Sequence, residues 1–206
     1  MGELIILTQQ LADRARPRRH ARPAFFFDLA CPFSYLAAEQ VERLLGEAEW
    51  VPVAGPLDAD AGGVDLCAAA QARAAELRLP LVWPESFPAP RRGALRAAVR
   101  AIQLKCGAQF TLAAARLAFS GGFDLDDPEI LADAAGASGF GLQECLAAAG
   151  DEALDGSLDA TARGLLARGV GRLPAVRIGR GFFAGETLLS QAAASRAADC
   201  ESSASP

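Results

Sequence analysis

The chain has 206 residues, of which 51% are hydrophobic and 22% charged, so it holds enough apolar material for the core of one globular domain, or of one domain with an insertion. The formal net charge of -5 gives no electrostatic case for binding nucleic acid. No run approaches the roughly 18 apolar residues of a membrane helix, so we expect neither a nucleic acid nor a membrane as a partner.

Residues 1–23 form a basic stretch ahead of the first predicted strand. The apolar patch in it spans only Leu4–Leu7, and the arginines follow that patch instead of preceding it, which is a poor match to a secretory signal. We interpret these residues as a basic N-terminal arm, either a solvated tail or a segment that binds an acidic partner.

The cysteines and the histidine limit the chemistry. None of the five cysteines forms a Cys-x-x-Cys pair, which argues against a disulfide framework and predicts a reducing compartment, the cytoplasm. The single histidine, His20, lies in the basic arm, so a Cys-His or Ser-His-Asp triad inside the fold is excluded, and no histidine-based metal site is expected. A reaction must use cysteine, serine, tyrosine, charged side chains, backbone groups or a cofactor.

The first predicted elements are a strand, a helix and a second strand. Phe25–Phe27 is a short continuous apolar run, which is typical of a buried strand. Apolar residues recur at helical spacing over Ser34–Leu45, and Gly46 ends that helix. The segment "EWVPVAG", from Glu49, predicts the second strand, and Pro52 favours an edge position for it. Two strands joined by such a helix should be parallel.

The middle of the chain, from about Val64 to Arg168, predicts helices and no strand. Five alanine-rich segments with helical spacing are separated by glycine or proline. A further helix is predicted over 151–168, and its apolar stripe consists of Leu154, Leu158, Thr161, Leu165 and Leu166.

Strands resume near the end of the chain. The segments "PAVRI" and "FFAG" flank Gly179-Arg180-Gly181, which predicts a hairpin. A final helix is predicted over Glu186–Ala197, before a Ser-rich tail. The complete order is therefore βαβ, then helices, then αββα.

This order predicts the domain organisation. It indicates a thioredoxin-like α/β fold with a four-stranded mixed sheet, made of residues 24–58 and 150–199. An all-helical insertion would occupy residues 59–149, and residues 200–206 would form the C-terminal tail.

Cys31 lies where the first strand meets the first helix. A thiol at a helix N-terminus is surrounded by unpaired backbone N–H groups and the positive end of the helix dipole, and both favour the nucleophilic thiolate. Pro32 suits the position that follows, because the N–H it lacks would be unpaired there anyway. The alternative is that Cys31 is only a small buried apolar residue.

Ser34 comes three residues later and can therefore face Cys31 across the first helical turn. Its hydroxyl could donate a hydrogen bond to a thiolate; ordinary hydrogen bonding at the helix start is the alternative. Because serine cannot form a disulfide, the two residues could hold a thiolate or a mixed disulfide but could not store two electrons as an internal bridge.

Three stretches give the chain a family resemblance: "FDLACPFSYLAAE", "LRLPLVWPESFP" followed by "RGALRAAVRA", and "RGVGRLPAVRIGRGFFAGE". In this order they resemble the DsbA-like superfamily, and within it most of all the 2-hydroxychromene-2-carboxylate isomerases and the kappa-class glutathione transferases. The resemblance covers about Phe25 to Ala197.

The resemblance implies a glutathione site around Cys31. It implies that Pro174 is cis and that the backbone of Leu173 pairs with an extended peptide or with glutathione, in the manner of strand addition; an ordinary strand-start proline is the alternative. Other implied glutathione contacts are Pro32, Phe33, Glu186 and Thr187. A homodimer is also left open, because kappa-type relatives are often dimers.

Three positions depart from the family pattern. The isomerases and kappa transferases usually have serine where this chain has Cys31, and the disulfide oxidases have a second cysteine where it has Ser34. The glutathione-using relatives tend to have an aspartate near Thr187, for which Glu186 could substitute. Isomerases often carry an asparagine where this chain has Ala89, which weakens the specific isomerase assignment.

Further side chains are candidates for a substrate pocket. Trp83, Phe87 and Phe33 could line an apolar pocket where the helical insertion meets the Cys31 helix; packing in the core is the alternative. Arg91 could bind a substrate carboxylate, or it could lie at a solvated helix start. The cysteines within the alanine-rich helices, Cys67, Cys106 and Cys145, are expected in the core.

Three functions follow as hypotheses. The first is a glutathione-linked isomerase or transferase in which Cys31 is the nucleophile or the group that stabilises a thiol. The second is a monothiol thiol-disulfide oxidoreductase that acts on glutathione mixed disulfides. The third is a thioredoxin-fold protein that binds a peptide or a partner protein and catalyses nothing.

Overall fold

The computed structural model describes residues 22–54, 66–88, 90–185 and 188–204, with side chains described up to residue 196. The basic arm up to residue 21, Ala89, Glu186 and Thr187 lie outside these residues. The described elements, in chain order, are β1 (Ala24–Phe27), α1 (Pro32–Leu45), β2 (Glu49–Pro52), α2 (Leu66–Leu77), α3 (Arg92–Gln103), α4 (Gly107–Phe119), α5 (Pro128–Ser138), α6 (Leu142–Gly150), a 3-10 turn (Glu152–Leu154), α7 (Asp155–Leu166), β3 (Ala175–Ile178), β4 (Gly181–Ala184) and α8 (Leu188–Ala204).

The four strands form one mixed sheet in the order β2-β1-β3-β4. β1 and β2 are parallel, as predicted for the βαβ unit, and β3 is antiparallel to both β1 and β4. Pro52 lies in the edge strand β2, where the N–H it lacks needs no partner, so this prediction is confirmed.

Strand β1 is buried on both of its faces. Phe25 and Phe27 belong to the larger hydrophobic cluster, together with the apolar face of α1 and the helices of the insertion. Phe26 belongs to a smaller cluster on the opposite face, with Leu165 of α7. Because successive side chains of a strand point to opposite faces, helices that cover both faces explain why β1 is a continuous apolar run.

Helix α1 begins at Pro32, two residues before the predicted start, because proline is tolerated at the first helical position. It ends at Leu45, where the N–H of Gly46 donates to the carbonyl of Glu42 at 2.8 Å. Gly46 has φ of 68°, and a Cβ at this position would lie 3.2 Å from the guanidinium of Arg196. Both the backbone conformation and this close approach therefore favour glycine.

Among the described residues between β2 and α7, the secondary-structure elements are helices and none is a strand, as predicted. Helix α3 packs on α4 and α6, and α5 packs on the same two helices, so these four helices form a bundle. Among the described residues, no helix is long and apolar enough to span a membrane.

Two helix predictions need correction. The segment predicted as one helix over 151–168 is a 3-10 turn followed by α7, and Leu166, placed on the apolar stripe, is 53% exposed because it lies past the buried face formed by Leu158 and Leu165. Helix α8 runs to Ala204 and not to Ala197, since neither glycine nor proline interrupts the sequence before Ala204.

Candidate active site

The turn between β1 and α1 holds Cys31 at the start of the helix. Its N–H donates to the carbonyl of Asp28 at 3.1 Å, and its own carbonyl accepts from the N–H of Ser34 at 3.0 Å and of Tyr35 at 3.4 Å. The carboxylate of Asp28 accepts from the N–H of Ala30 at 2.8 Å, which closes the turn. Cys31 is thus the N-cap residue of α1, as the Cys-Pro placement predicted.

The thiol of Cys31 contacts a segment far away in the sequence. Its Sγ donates to the carbonyl oxygen of Leu173 at 3.8 Å, across a separation of 142 residues. The Leu173–Pro174 peptide bond is cis, and it immediately precedes β3. Cys31 is 8% exposed and Leu173 is 5% exposed, so the contact lies at the margin of the core.

Ser34 bonds the backbone at the helix start. Its side chain is buried, and its Oγ accepts a hydrogen bond from the N–H of Asp28 at 3.2 Å. This is the ordinary hydrogen bonding that the sequence left open as an alternative. A hydroxyl that accepts one hydrogen bond keeps its own hydrogen for donation, so Ser34 is still able to donate to a sulfur bound beside Cys31.

A cleft lies next to the Cys31–Leu173 contact. Phe33, two residues after Cys31, lines it together with Pro174, and most of its other lining is apolar: Leu36, Ala37, Leu77, Gly185, Leu188 and Leu189. Its polar side chains are Gln40 of α1 and Arg73 of α2. The cleft is small, about 30 Å³, so it could take one group of a larger ligand, and Arg73 would supply a positive charge beside it.

Sequence reasoning missed Arg73 and Gln40. The one available signal for Arg73 is that it is the only basic side chain within the alanine-rich α2 segment. Arg73 Nη1 contacts Glu76 Oε2 at 2.7 Å, and the two side chains are 31% and 65% exposed. A pair this exposed contributes little to stability, so a ligand carboxylate could replace Glu76 at small cost.

Trp83 and Phe87 are partly buried and lie in an aromatic cluster that packs against the core. Their ring centroids are 4.7 Å apart, and both rings meet the ring of Phe119 edge-on. Tyr35 stacks on Phe119 and donates its hydroxyl to the carbonyl of Pro80 at 3.1 Å. Burial, and secondarily the charge of Glu39, raises the pKa of Tyr35, so it remains a neutral donor. Through these contacts, the segment that precedes α3 packs against helix α1.

Arg91 was expected either to bind a substrate carboxylate or to lie at a solvated helix start, and the structure agrees with neither expectation. Its side chain is 3% exposed, and its Nη1 lies 3.1 Å from Asp124 Oδ1 and 3.0 Å from Asp126 Oδ2. Its Nη2 donates to Ser86 Oγ at 2.6 Å. A desolvated guanidinium needs such partners. Arg91 is therefore not solvated, and its guanidinium is already paired with protein groups. The hydrogen bond from Ser86, the N–H of Asp126 and the charge of Arg91 lower the pKa of Asp124.

Removing both carboxylates should therefore destabilise the protein. In the double variant Asp124→Ala/Asp126→Ala, the buried charge of Arg91 is left uncompensated, and we expect the free energy of unfolding to fall by about 3 kcal/mol or more. Urea denaturation measures this change. Asp133→Ala, an exposed site on α5, is the control and should change stability by less than about 0.5 kcal/mol. Equal stability of the double variant and the control would contradict the structural role of Arg91.

The other cysteines differ in burial. Cys145 is fully buried, as predicted for a core residue. Cys67 and Cys106 are only partly buried, because Cys67 lies in the first turn of α2 and Cys106 at the turn before α4. The side chain of Cys200 lies outside the described residues.

Comparison with known proteins identifies the family of this fold. A family model described as the DSBA-like thioredoxin domain matches residues 24–194. A comparison with curated proteins finds no match. The family match confirms the resemblance deduced from the three sequence stretches and the thioredoxin-like α/β fold.

Solved structures agree with this fold. A 2-hydroxychromene-2-carboxylate isomerase is similar with a TM-score of 0.72 and 18% identity, over 88% of this chain and 97% of that one. The cytosolic disulfide reductase DsbM from Pseudomonas aeruginosa, solved with GSH, has a TM-score of 0.64 and 14% identity, over 87% and 98%. The thiol-disulfide exchange protein alpha-DsbA2 from Wolbachia pipientis has a TM-score of 0.56 and 17% identity, over 95% and 92%. At these identities the likeness is one of fold, and with the family match it shows that the chain belongs to the DSBA-like thioredoxin domain family.

Proposed function

We propose that this protein is a glutathione-linked thiol enzyme that resolves mixed disulfides of glutathione through Cys31. The observation that supports this most directly is the position of the Cys31 thiol, at the N-cap of α1 and in contact with the backbone of Leu173. A hydroxyl would be enough to stabilise a glutathione thiolate by hydrogen bonding, whereas a thiol at the same place adds the capacity for covalent exchange.

The reaction proceeds in two exchanges. The Cys31 thiolate attacks the glutathione sulfur of a mixed disulfide; a Cys31–glutathione disulfide forms, and the substrate leaves as a thiolate that takes up a proton. The thiolate of a second glutathione then attacks the glutathione sulfur of this adduct. Glutathione disulfide leaves, and the Cys31 thiolate is regenerated.

The surroundings of Cys31 have distinct parts in this reaction. The backbone of Leu173 pairs with the peptide part of glutathione, as in strand addition, and the positive end of α1 stabilises the thiolate that leaves or attacks. Ser34 donates its hydroxyl hydrogen to that sulfur. The presence of a disulfide reductase solved with GSH among the similar structures supports glutathione as the ligand.

A glutathione-linked isomerase or transferase is the second candidate, and the cleft favours it. Its apolar lining with Arg73 as the cation could contact one end of an acidic organic molecule placed beside a sulfur at Cys31. In that reaction, Cys31 and Ser34 would stabilise the thiolate of bound glutathione, and no covalent bond to Cys31 would form.

Intact-mass measurement separates the two functions. The protein is incubated either with glutathione disulfide or with glutathione, and the modified residue is located by peptide mapping. One glutathione on Cys31, removed again by glutathione, supports mixed-disulfide chemistry. Tight reversible binding of glutathione with no adduct supports the isomerase or transferase. Neither adduct nor binding would contradict both functions and favour a non-catalytic binding protein.

Arg73 should contribute to ligand affinity under either chemistry. Glutathione has two carboxylates, and a charge-assisted hydrogen bond to one of them from Arg73 is worth about 1.5 kcal/mol or more, so Arg73→Leu should weaken glutathione binding roughly tenfold. Leucine keeps the helix propensity of arginine. Calorimetric titration measures the affinity.

The control for Arg73 is Arg163→Leu, which removes an exposed arginine from α7. This variant removes the same single positive charge from a chain whose net charge is -5 but leaves the cleft unchanged. If both variants bind glutathione as tightly as the unmodified protein, Arg73 does not contact the ligand.

A further inference from the structure

Strand β2 forms one edge of the sheet, and its outer side carries backbone groups that the sheet does not use. The N–H of Glu49 donates to the carbonyl of Pro23 at 2.7 Å, and the N–H of Val53 donates to that of Phe27 at 2.9 Å. Alternate residues of a strand turn their N–H and C=O groups to the same side, so the N–H and C=O of Trp50 point away from β1. Both groups are without a strand partner among the residues that the structure describes.

A cavity of about 200 Å³ lies along this edge. All four residues of β2, Glu49–Pro52, line it. Because successive side chains of a strand point to opposite faces, a cavity that touches all four follows the strand backbone and not one face of the sheet. Its walls come from two helices: Val99, Ile102 and Gln103 of α3, and Ser157, Leu158 and Thr161 of α7.

The size of the cavity indicates a compact ligand. An apolar cavity of about 150 Å³ is enough to bind benzene, so the space is sufficient for a small ring system. Pockets for larger organic molecules start at about 300 Å³. Beside the cavity, the two helices are joined by ion pairs, with Arg96 Nη2 at 2.7 Å from Asp155 Oδ2 and Arg92 Nη2 at 3.2 Å from Asp159 Oδ1. The site therefore fits a compact molecule better than an extended peptide.

The polar groups of the lining indicate a neutral ligand. Glu49 is the one charged side chain among the described lining residues, and its Oε2 lies 3.5 Å from Arg177 Nη2. The hydroxyls of Ser157 and Thr161 already donate to backbone carbonyls of their own helix, at 2.8 and 2.9 Å. A ligand anion would thus meet a carboxylate and no cation, and the donor left for a neutral ligand is the backbone N–H at the strand edge.

We propose that this cavity binds a small neutral cyclic amide, such as a lactam or a pyridone ring. In an antiparallel pair, two opposed residues exchange both of their hydrogen bonds, and a ring amide, with its N–H and C=O on the same side, can exchange the same two bonds with Trp50. The apolar part of the ring packs between Val99, Ile102 and Leu158. The site shares no described lining residue with the cleft beside Cys31, so it is independent of the function proposed above.

The test is an NMR titration of the isotope-labelled full-length protein with 2-quinolone. The matched ligand is N-methyl-2-quinolone, which keeps the rings and the carbonyl but lacks the N–H. We expect 2-quinolone to shift the backbone amide resonance of Trp50 saturably and to slow the hydrogen exchange of that amide. The methylated ligand should bind about fivefold more weakly or worse, because one hydrogen bond is lost. Equal affinities of the two ligands, or no shift at Trp50, would overturn the proposal.

The two tryptophans of the chain provide an internal control in the same spectra. The indole Nε1 of Trp50 is buried and has no hydrogen-bond partner among the described residues, so its resonance should respond when the adjoining cavity is filled. Trp83 lies beside Phe87 in the aromatic cluster and does not line the cavity, so its indole resonance should stay in place. A shift of Trp83 without one of Trp50 would put the ligand elsewhere and contradict the proposal.

A cavity-filling variant and its control complete the test. In Val99→Phe, the added ring takes up space in the cavity, so 2-quinolone should bind about tenfold more weakly or worse. Val82→Phe makes the same substitution at a side chain that is 45% exposed and does not line the cavity, and it should bind 2-quinolone like the unmodified protein. Unchanged affinity in folded Val99→Phe would overturn the proposal. If Val99→Phe does not fold, the comparison of the two ligands on the unmodified protein decides alone.

Discussion

Replacing Cys31 by serine should abolish the covalent glutathione adduct and reduce mixed-disulfide exchange to the rate of the uncatalysed reaction. The hydroxyl of serine does not attack a disulfide, whereas the thiolate of cysteine does. The fold should persist, because serine is close in size to cysteine and can donate to the carbonyl of Leu173 as Cys31 does. Release of thiol from a glutathionylated peptide measures the exchange.

The control for this prediction is Cys67→Ser, which removes a partly buried thiol of α2. This variant should exchange disulfides at the unmodified rate. An adduct that persists in Cys31→Ser, or a loss of exchange in Cys67→Ser, would contradict the assignment of Cys31. If Cys31→Ser keeps the affinity for glutathione, and the unmodified protein forms no adduct, the isomerase or transferase is favoured.

Replacing Ser34 by cysteine should convert the site to a reversible dithiol. Ser34 lies one helical turn from Cys31, and its N–H already donates to the carbonyl of Cys31 at 3.0 Å, so the introduced thiol has the spacing used for internal disulfides at such a helix start. Oxidised Ser34→Cys protein should contain a bridge between Cys31 and the introduced thiol, and the variant should reduce insulin in the presence of a dithiol reductant.

This substitution also has a cost in stability. The Oγ of Ser34 accepts from the N–H of Asp28, and sulfur is a weaker acceptor, so the reduced variant should lose about 1 kcal/mol of unfolding free energy. Ser157→Cys, which adds an exposed thiol on α7, is the control and should gain no insulin reductase activity. Absence of the bridge in oxidised Ser34→Cys would show that the two side chains do not meet.

The sequence alone was enough to predict the order of elements and the position of the thiol. Strands and helices follow from side-chain periodicity, which involves residues at most four apart. The apolar run of β1, the Cys-Pro pair and the spacing over α1 therefore predicted a thiol at a helix N-terminus, and Pro52 predicted the edge strand. The same local rules place the helices of the insertion within a few residues of their observed bounds.

Only the tertiary structure decided what surrounds that thiol. Cys31 and Leu173 are 142 residues apart, and no local pattern encodes their contact. Arg73 lines the cleft only because α2 packs beside Phe33, and Arg91 is buried because Asp124 and Asp126 reach it from the loop before α5. Burial and charge pairing depend on which helices meet, and that is set by packing of the whole core and not by the spacing of residues along any one helix.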